Sequence, residues 1–308
     1  MVRREKRKMK KNIKFWIMFL IVFILSISSQ LLGQVNSLLT ISPTANEMMI
    51  GGMSTYYRNP AYNILNTDST IHVAFTKVNW MTNIVDDMGW NYFQAKYGEY
   101  HISLLQFNYG ERLEADVMGQ VQSVFSPRST VYSLGWGTEL YYKKEKLENV
   151  TIGFNVKIVN HNLYTEKGTG YLVDTGLHFK KLYNLVNLNL MLQNWGYAAR
   201  IGNVDTNNPS SLNIGLHIPI KDFDIYNQWN FLKGYYTHGQ GISYQYNRGD
   251  DWIKFKAGYY NDVDFRLNYP SLGMEVSYDK YQIGIGVLQG NDTHPLRNTM
   301  LITINMEL

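Results

Sequence analysis

The chain has 308 residues, 45% hydrophobic and 18% charged, with 24 tyrosines and no cysteine. That length suits one large β domain or two ordinary ones, and the missing thiols exclude disulfides, thiolate metal sites, a cysteine nucleophile and a lipidated N-terminal cysteine. The formal charge of +4 comes from the first 33 residues, which hold eight of the 29 basic residues and one of the 25 acidic ones; the remainder is net −3 and has no nucleic-acid footprint.

Residues 1–33 run from a basic start through an unbroken apolar stretch, Phe15 to Leu25, into small and polar residues. This predicts a secretory signal peptide cut near Gly33. The apolar run is about 11 residues, short of the roughly 20 that a helical anchor needs. Within residues 34–70, Met48 to Leu65 is the one credible block without strand periodicity. It contains "MMIGGM" (Met48 to Met53) and "RNPAYNIL" (Arg58 to Leu65), with Pro60 marking a turn or a helix start.

From Ile71 onward the chain reads as strands. "IHVAFTKVNW", "GWNYFQAKYG" and "YHISLLQFNYG" come first, with mixed faces. The pattern then becomes regular. In "VTIGFNVKIVN", Val150, Ile152, Phe154, Val156 and Ile158 alternate with Thr151, Gly153, Asn155 and Lys157. "YLVDTGLHFK" opposes Tyr171, Val173, Thr175, Leu177 and Phe179 to Leu172, Asp174, Gly176, His178 and Lys180. The same period of two continues through "LVNLNLMLQN", "SLNIGLHIPI", "GISYQYN", "DWIKFKAGYY", "SLGMEVSYD", "KYQIGIGVLQ" and the closing "MLITINMEL". Short turn signals such as "NRGDD" and "SYDKY" favour antiparallel hairpins.

About 14 strands, each taking about 20 residues with its turn, suit a membrane-spanning barrel with longer loops on one side. A secreted β-sandwich also alternates. Against it stand the unbroken series of late strands and a second face repeatedly bearing Asn, Gln, Lys, Asp, His and Gly, which a wet or plugged lumen accepts. Aromatics also gather at strand ends: Trp80, Trp90, Tyr141, Tyr142, Trp195, Trp229, Tyr235, Tyr236, Trp252, Tyr259 and Tyr260. Such rings suit a lipid–water boundary. The predicted fold is therefore all-β: an antiparallel transmembrane barrel over residues 71–308, an N-terminal plug over 34–70 and a signal peptide over 1–33, in a cell outer membrane.

Reaction chemistry finds no foothold. The seven histidines, His72, His101, His161, His178, His217, His238 and His294, show no ligand spacing. "GWG" and "GIG" lack the GxGxxG frame and are read as glycines facing a crowded interior. Asp86–Asp87 and Asp250–Asp251 match no EF-hand loop and are read as solvated turn charge. No Gly-x-Ser-x-Gly elbow occurs. No enzyme, cofactor or metal is expected.

The ordered motifs resemble one family. "RNPAYNIL" is similar to the "NPAGLA" element of FadL-like outer-membrane proteins, especially the PorV/PorQ-type branch, where it follows a glycine-containing segment like "MMIGGM". "TIGFNVKIVNHNLY", "GYLVDTGLHFK", "LMLQNWGYAARI" and "HPLRNTMLITINMEL" resemble later strands of that family in order. Tyr62 departs from the pattern, standing where the family has glycine. The resemblance implies a plugged barrel of about 14 strands acting as an accessory of type IX protein secretion, docking exported proteins or secretion components through loops around Tyr164–Gly170, Ile201–Ser210 and Tyr259–Pro270. The other implied reading is a FadL-like channel for long-chain fatty acids or other hydrophobic molecules. Its lining or plug residues would be Met48, Met49, Ile50, Tyr56, Tyr57, Arg58, Asn59 and Pro60, and the apolar ones among them also fit plain core packing.

Overall fold

The computed structural model describes residues 39, 42–52, 58–62, 70–81, 85, 87–115, 118, 120–140, 148–163, 166–183, 185–197, 199–201, 204–205, 210–232, 235–262, 268–290, 294–297 and 299–308. The predicted leader, together with Tyr56, Tyr57, Tyr141, Tyr142 and Asp86, lies outside the described residues.

Helix α1 (Ala45–Met48) comes first. Then follow β1 (Ile71–Asn79), β2 (Met88–Tyr97), β3 (Tyr100–Tyr109), β4 (Arg112–Ala115), β5 (Val121–Phe125), β6 (Arg128–Leu140), β7 (Asn149–Leu163), β8 (Glu166–Leu182) and β9 (Val186–Tyr197). The series continues with β10 (Arg200–Ile201), β11 (Val204–Asp205), β12 (Ser211–Ile220), β13 (Phe223–Leu232), β14 (Tyr235–Arg248), β15 (Asp251–Asp262), β16 (Tyr269–Tyr278), β17 (Tyr281–Leu288) and β18 (Thr299–Glu307). Fourteen of these close an antiparallel barrel in chain order, from β1 through β2, β3, β6 to β9 and β12 to β18, with β18 pairing back onto β1. The β4–β5 and β10–β11 pairs are separate two-stranded hairpins inserted in loops.

Closure leaves no sheet edge, so every wall strand satisfies its backbone through its neighbours, as hydrocarbon requires. The seam is tight: Ile71 and Leu308 exchange both backbone hydrogen bonds, at 3.2 and 2.8 Å. Both ends of the wall therefore stand at one rim. Turns at this rim include Gly98–Glu99, Lys221–Asp222, Gly249–Asp250 and Asp279–Lys280. Gly98, Lys221, Gly249 and Asp279 all have positive φ, the twist that two-residue hairpins need. The opposite rim carries the two hairpins and the longer connections.

Face assignment follows the period of two. In β7, Thr151, Gly153, Asn155, Lys157, Val159 and His161 are buried and point inward, while Phe154, Val156 and Ile158 are exposed outward. In β8, Leu172, Asp174, Gly176 and His178 point inward. The exterior is a greasy cylinder with aromatic rings near both rims, among them Tyr97, Tyr100, Tyr246, Tyr278 and Tyr281 on one side and Tyr171, Trp195, Tyr197 and Tyr236 on the other. Tyr236 and Tyr246 lie on one strand, roughly 34 Å apart along it. At a tilt of about 40° they bracket about 26 Å of bilayer, close to the usual apolar height of a membrane barrel. Four of the predicted boundary rings instead face inward: Trp80 and Trp90 are buried inside, Tyr260 packs against the same interior cluster, and Trp252 shares the inward face of β15 with Lys254, whose ammonium lies over its ring. The first three occupy inward positions because this part of the lumen is filled with apolar side chains instead of water.

Candidate functional site

Two described stretches, 42–52 and 58–62, lie inside the barrel and contact its wall on several sides. Thr44 caps α1 by accepting the Glu47 N–H at 3.2 Å. The helix stops after one turn because Gly51 and Gly52 follow at φ 86° and 71°, and the Gly52 N–H donates back to the Glu47 carbonyl at 2.9 Å. On one side, the Ala45 N–H donates to Thr303 Oγ1 at 3.3 Å, and the Trp90 indole donates to the Pro43 carbonyl at 3.0 Å.

The wall receives this segment at glycines. Gly241 and Gly258 are cross-strand partners, and so are Gly273 and Gly286. The Ile50–Gly51 backbone fills the first pair, and the Met49 side chain lies over the second. A methyl group at Gly241 would come within 2.5 Å of the Ile50 carbonyl oxygen. A third pair, Gly153 and Gly176, receives Pro60–Ala61 and Asn59. There Asn59 Oδ1 accepts the Ala61 N–H at 3.0 Å, an Asx turn that sets the Asn-Pro-Ala corner. Thr151 Oγ1 donates to the Ala61 carbonyl at 2.8 Å.

Two buried polar clusters fix the same segment. Lys256 and Glu275, inward on β15 and β16, pair at 2.7 Å. Asn46 is inserted into this pair: its amide donates to Glu275 at 3.0 Å and its oxygen accepts from Lys256 at 2.9 Å. Across the lumen Lys157 and Asp174 pair at 2.5 Å. Lys157 also donates to Asn194 Oδ1 at 3.0 Å. The Asn194 amide and the Arg58 guanidinium donate to the Leu39 carbonyl at 3.1 and 3.0 Å. Asn194 reaches that position because the β8–β9 register slips between Val173 and Thr175, with Asn194 at φ 59°. Burial pulls the Arg58 pKa down, while Glu47 and Asp174 act to keep the guanidinium charged. Burial also raises Tyr62 to about 12, with Asp224 adding to the shift; its ring meets His178 edge-on at 5.3 Å.

On the side of the loop-bearing rim, the lumen is apolar. Trp80 and Trp90 meet at 5.0 Å between centroids, Trp90 stacks on Phe107 at 5.8 Å, and Phe107 meets Tyr109 at 4.7 Å. Val131, Leu288, Leu296 and Leu301 complete this layer, and Leu39, Ala45, Met48 and Met49 of the inner segment belong to it. On the side of the short-turn rim a polar recess of about 240 Å³ is lined by Asn46, Tyr62, His72, Lys96, Gln282 and Asn305, among others. A gap of about 40 Å³ remains between the inner segment and the wall, beside Arg58, Tyr92, His101 and Lys157.

Of the residues predicted to form the plug or line a pocket, Met48, Met49 and Ile50 are buried, Met48 and Met49 in the apolar layer and Ile50 with Tyr62 and Tyr226. Arg58 borders the small gap. Asn59 and Pro60 form the corner against the wall. Tyr56 and Tyr57 fall outside the described residues. Sequence reasoning missed Asn46, Lys157, Asp174, Asn194, Lys256 and Glu275. The available signal was a lysine and a carboxylate on inward positions of neighbouring strands. The histidines His101, His161 and His178 are interior, with His178 bonded to Asn189 at 2.8 Å, and no group of three His, Cys, Asp or Glu suited to a metal occurs among the described residues. Of the expected loops, 166–170, 201, 204–205, 259–262 and 269–270 are strand.

No protein-family model matches the chain, and no curated protein sequence matches it. Solved structures do. The toluene transporter TodX of Pseudomonas putida is 13% identical, covering 85% of this chain and 95% of its own, with a TM-score of 0.54. The toluene transporter TbuX of Ralstonia pickettii is 11% identical, covering 88% and 97%, with a TM-score of 0.50. CymD, a monoaromatic hydrocarbon channel, is 11% identical, covering 89% and 97%, with a TM-score of 0.50. At these identities the likeness establishes a shared fold, that of a closed transmembrane β-barrel.

Proposed function

We propose that this chain is a FadL-like outer-membrane channel for hydrophobic small molecules, with residues 34–70 as its hatch. One observation carries the reading. The lumen on the loop-bearing side is lined by Trp80, Trp90, Phe107, Leu288 and Leu301, and Met48 and Met49 of the hatch lie in the same apolar cluster. A water-filled pore would leave these side chains wet at a cost of about 25 cal/mol per Å². An apolar solute gains by leaving water for such a layer. The transport of toluene and monoaromatic hydrocarbons by proteins of the same fold supports the same reading. The mechanism is then capture in the apolar layer, displacement of Met48–Gly51 from the glycine wells and passage toward the short-turn rim. Met48, Met49 and Ile50 act as the apolar gate; Arg58, Asn59 and Pro60 hold the second anchor; Tyr56 and Tyr57 belong to the connecting stretch. No residue makes or breaks a bond. The signal peptide over residues 1–33 delivers the chain, and the short-turn rim faces the periplasm.

The test is uptake of labelled toluene and oleate by cells with and without the gene. Entry several-fold faster with the gene supports a channel; equal entry of both probes rejects it.

A second reading keeps the barrel and drops the transport: an accessory of type IX secretion that docks exported proteins or secretion components by its loops. The resemblance to the PorV/PorQ branch supports it. So does the tight seating of the hatch, which leaves about 40 Å³ beside Arg58. Recovery of secretion components from outer membranes in mild detergent would favour docking, and recovery of bound hydrocarbon or lipid would favour transport.

A further inference from the structure

The outward face is not uniformly apolar. One row of outward residues runs across six strands in register: Phe75, Phe93, Leu104, Tyr132, Ile158 and Tyr171. One step toward the loop-bearing rim, the row becomes Lys77, Asn91, Gln106, Thr130, Asn160 and Thr169. The next row contains Asn79, Gly89, Asn108, Arg128, Asn162 and Lys167. These two rows hold Lys77, Arg128 and Lys167 and no carboxylate.

The step lies low on β1. Only Ile71, Val73 and Phe75 stand below Lys77, an apolar height of roughly 10 Å at about 3.3 Å per residue and a tilt near 40°. The neighbouring β18 remains apolar outward from Leu308 to Met300, roughly 20 Å by the same measure, and its Ile302 sits directly across from Lys77. A bilayer meeting so short a strip must thin or bring headgroups down to it. A cavity of about 510 Å³ stands at this place, edged by Lys77, Asn91, Asn108 and Arg128 from the wall. Asp87 and Glu111 edge it from the loop side, and Val78 and Trp90 from the inner face of the wall.

We propose that this notch binds the phosphate-bearing headgroup of a membrane lipid, with the acyl chains laid on the row Phe75–Phe93–Leu104–Tyr132. Lys77 and Arg128 supply the charge-assisted donors, and the Asn91 amide supplies a neutral one, while Asn108 holds the edge through its bond to the Asp87 carbonyl at 3.2 Å. The division between greasy and polar within a single residue step matches a lipid's own division. The proposal rests on the reading that this rim points toward the outer leaflet, and it is independent of what the lumen carries.

Native mass spectrometry of the purified full-length protein tests it. The probe is a bisphosphorylated hexa-acyl diglucosamine lipid, with the same lipid stripped of phosphate as control. The wild type retains the phosphorylated lipid and holds the stripped one at least tenfold less. K77Q/R128Q and N91D/Q106E each lose retention about tenfold, while K77R/R128K keeps it. Equal retention of both lipids, or undiminished retention by K77Q/R128Q, overturns the site. So does equally tight binding of inorganic pyrophosphate, because the acyl row would then contribute nothing, and so does a protein chain photo-crosslinked at this face in intact membranes. Oleate uptake by K77Q/R128Q matches the wild type under the channel reading, so failure of the notch and failure of the channel give different results.

Discussion

At the scale of single residues, the inner segment is held by what the wall lacks as much as by what it offers. Gly258 leaves room for the Ile50–Gly51 backbone. A Gly258→Val side chain cannot move that backbone cheaply, and overpacking of this kind costs about 1–3 kcal/mol. We expect G258V to lower the thermal midpoint in detergent and to loosen the hatch, read as faster proteolysis between residues 42 and 62. The Lys256–Glu275–Asn46 cluster behaves differently. Lys256→Met alone strands a buried carboxylate, at about 3–5 kcal/mol. K256M/E275L removes both charges and should recover part of that loss in a denaturation series, the buried Asn46 amide being left without its two partners. A single variant that costs no more than the double would show that the pair is not buried as described. The glycines of "GIG" were legible as residues facing a crowded interior. Their partner was not, because no local pattern says that Met49 will lie over Gly286.

Elements were read best where one face meets lipid. In β7 and β8 the outward and inward sets agree with the alternation residue for residue, since a slip of one would turn Asn155 and Lys157 into hydrocarbon. The first strands read as mixed for a physical reason: β1, β2 and β3 carry apolar residues on both faces, lipid outside and the Trp80–Trp90–Phe107 layer inside. That irregularity was the sequence signal of a filled lumen, and it also hid the inward direction of the two tryptophans. A pH prediction belongs to the β7–β8 corner. Hydrogen bonds from Lys180 and then Lys181, at 2.8 and 2.7 Å, hold the exposed Glu148 carboxyl down to about 2 from an ordinary 4.5. A lowered carboxyl pKa stabilises the fold above its unfolded value and loses that contribution as the pH falls toward 2. Exposed pairs are weak, so Glu148→Gln should be slightly less stable than the wild type at pH 7 and indistinguishable from it at pH 2, by thermal melting.

For the molecule as a whole, the claim is a sealed cylinder whose hatch must yield for an apolar solute to cross. The cylinder was visible in sequence because a long series of amphipathic strands, β6 to β9 and β12 to β18, imposes it. The inner segment showed in the sequence as a block without periodicity and through the "RNPAYNIL" resemblance; its seating did not show, since that depends on contacts between residues more than 200 apart, such as Asn46 with Glu275. The chain has no cysteine, so an engineered pair reports on the hatch alone. In A45C/T303C the two positions are already neighbours, the Ala45 N–H donating to Thr303 Oγ1 at 3.3 Å, and neither thiol fills a glycine well, so a disulfide can join the inner segment to the wall. The decisive measurement is entry of labelled oleate and toluene into cells carrying this variant, oxidised and then reduced. Our account predicts that oxidation lowers entry at least fivefold, to the level of cells without the gene, and that reduction restores it. Equal entry in the oxidised, reduced and gene-free cells would contradict it.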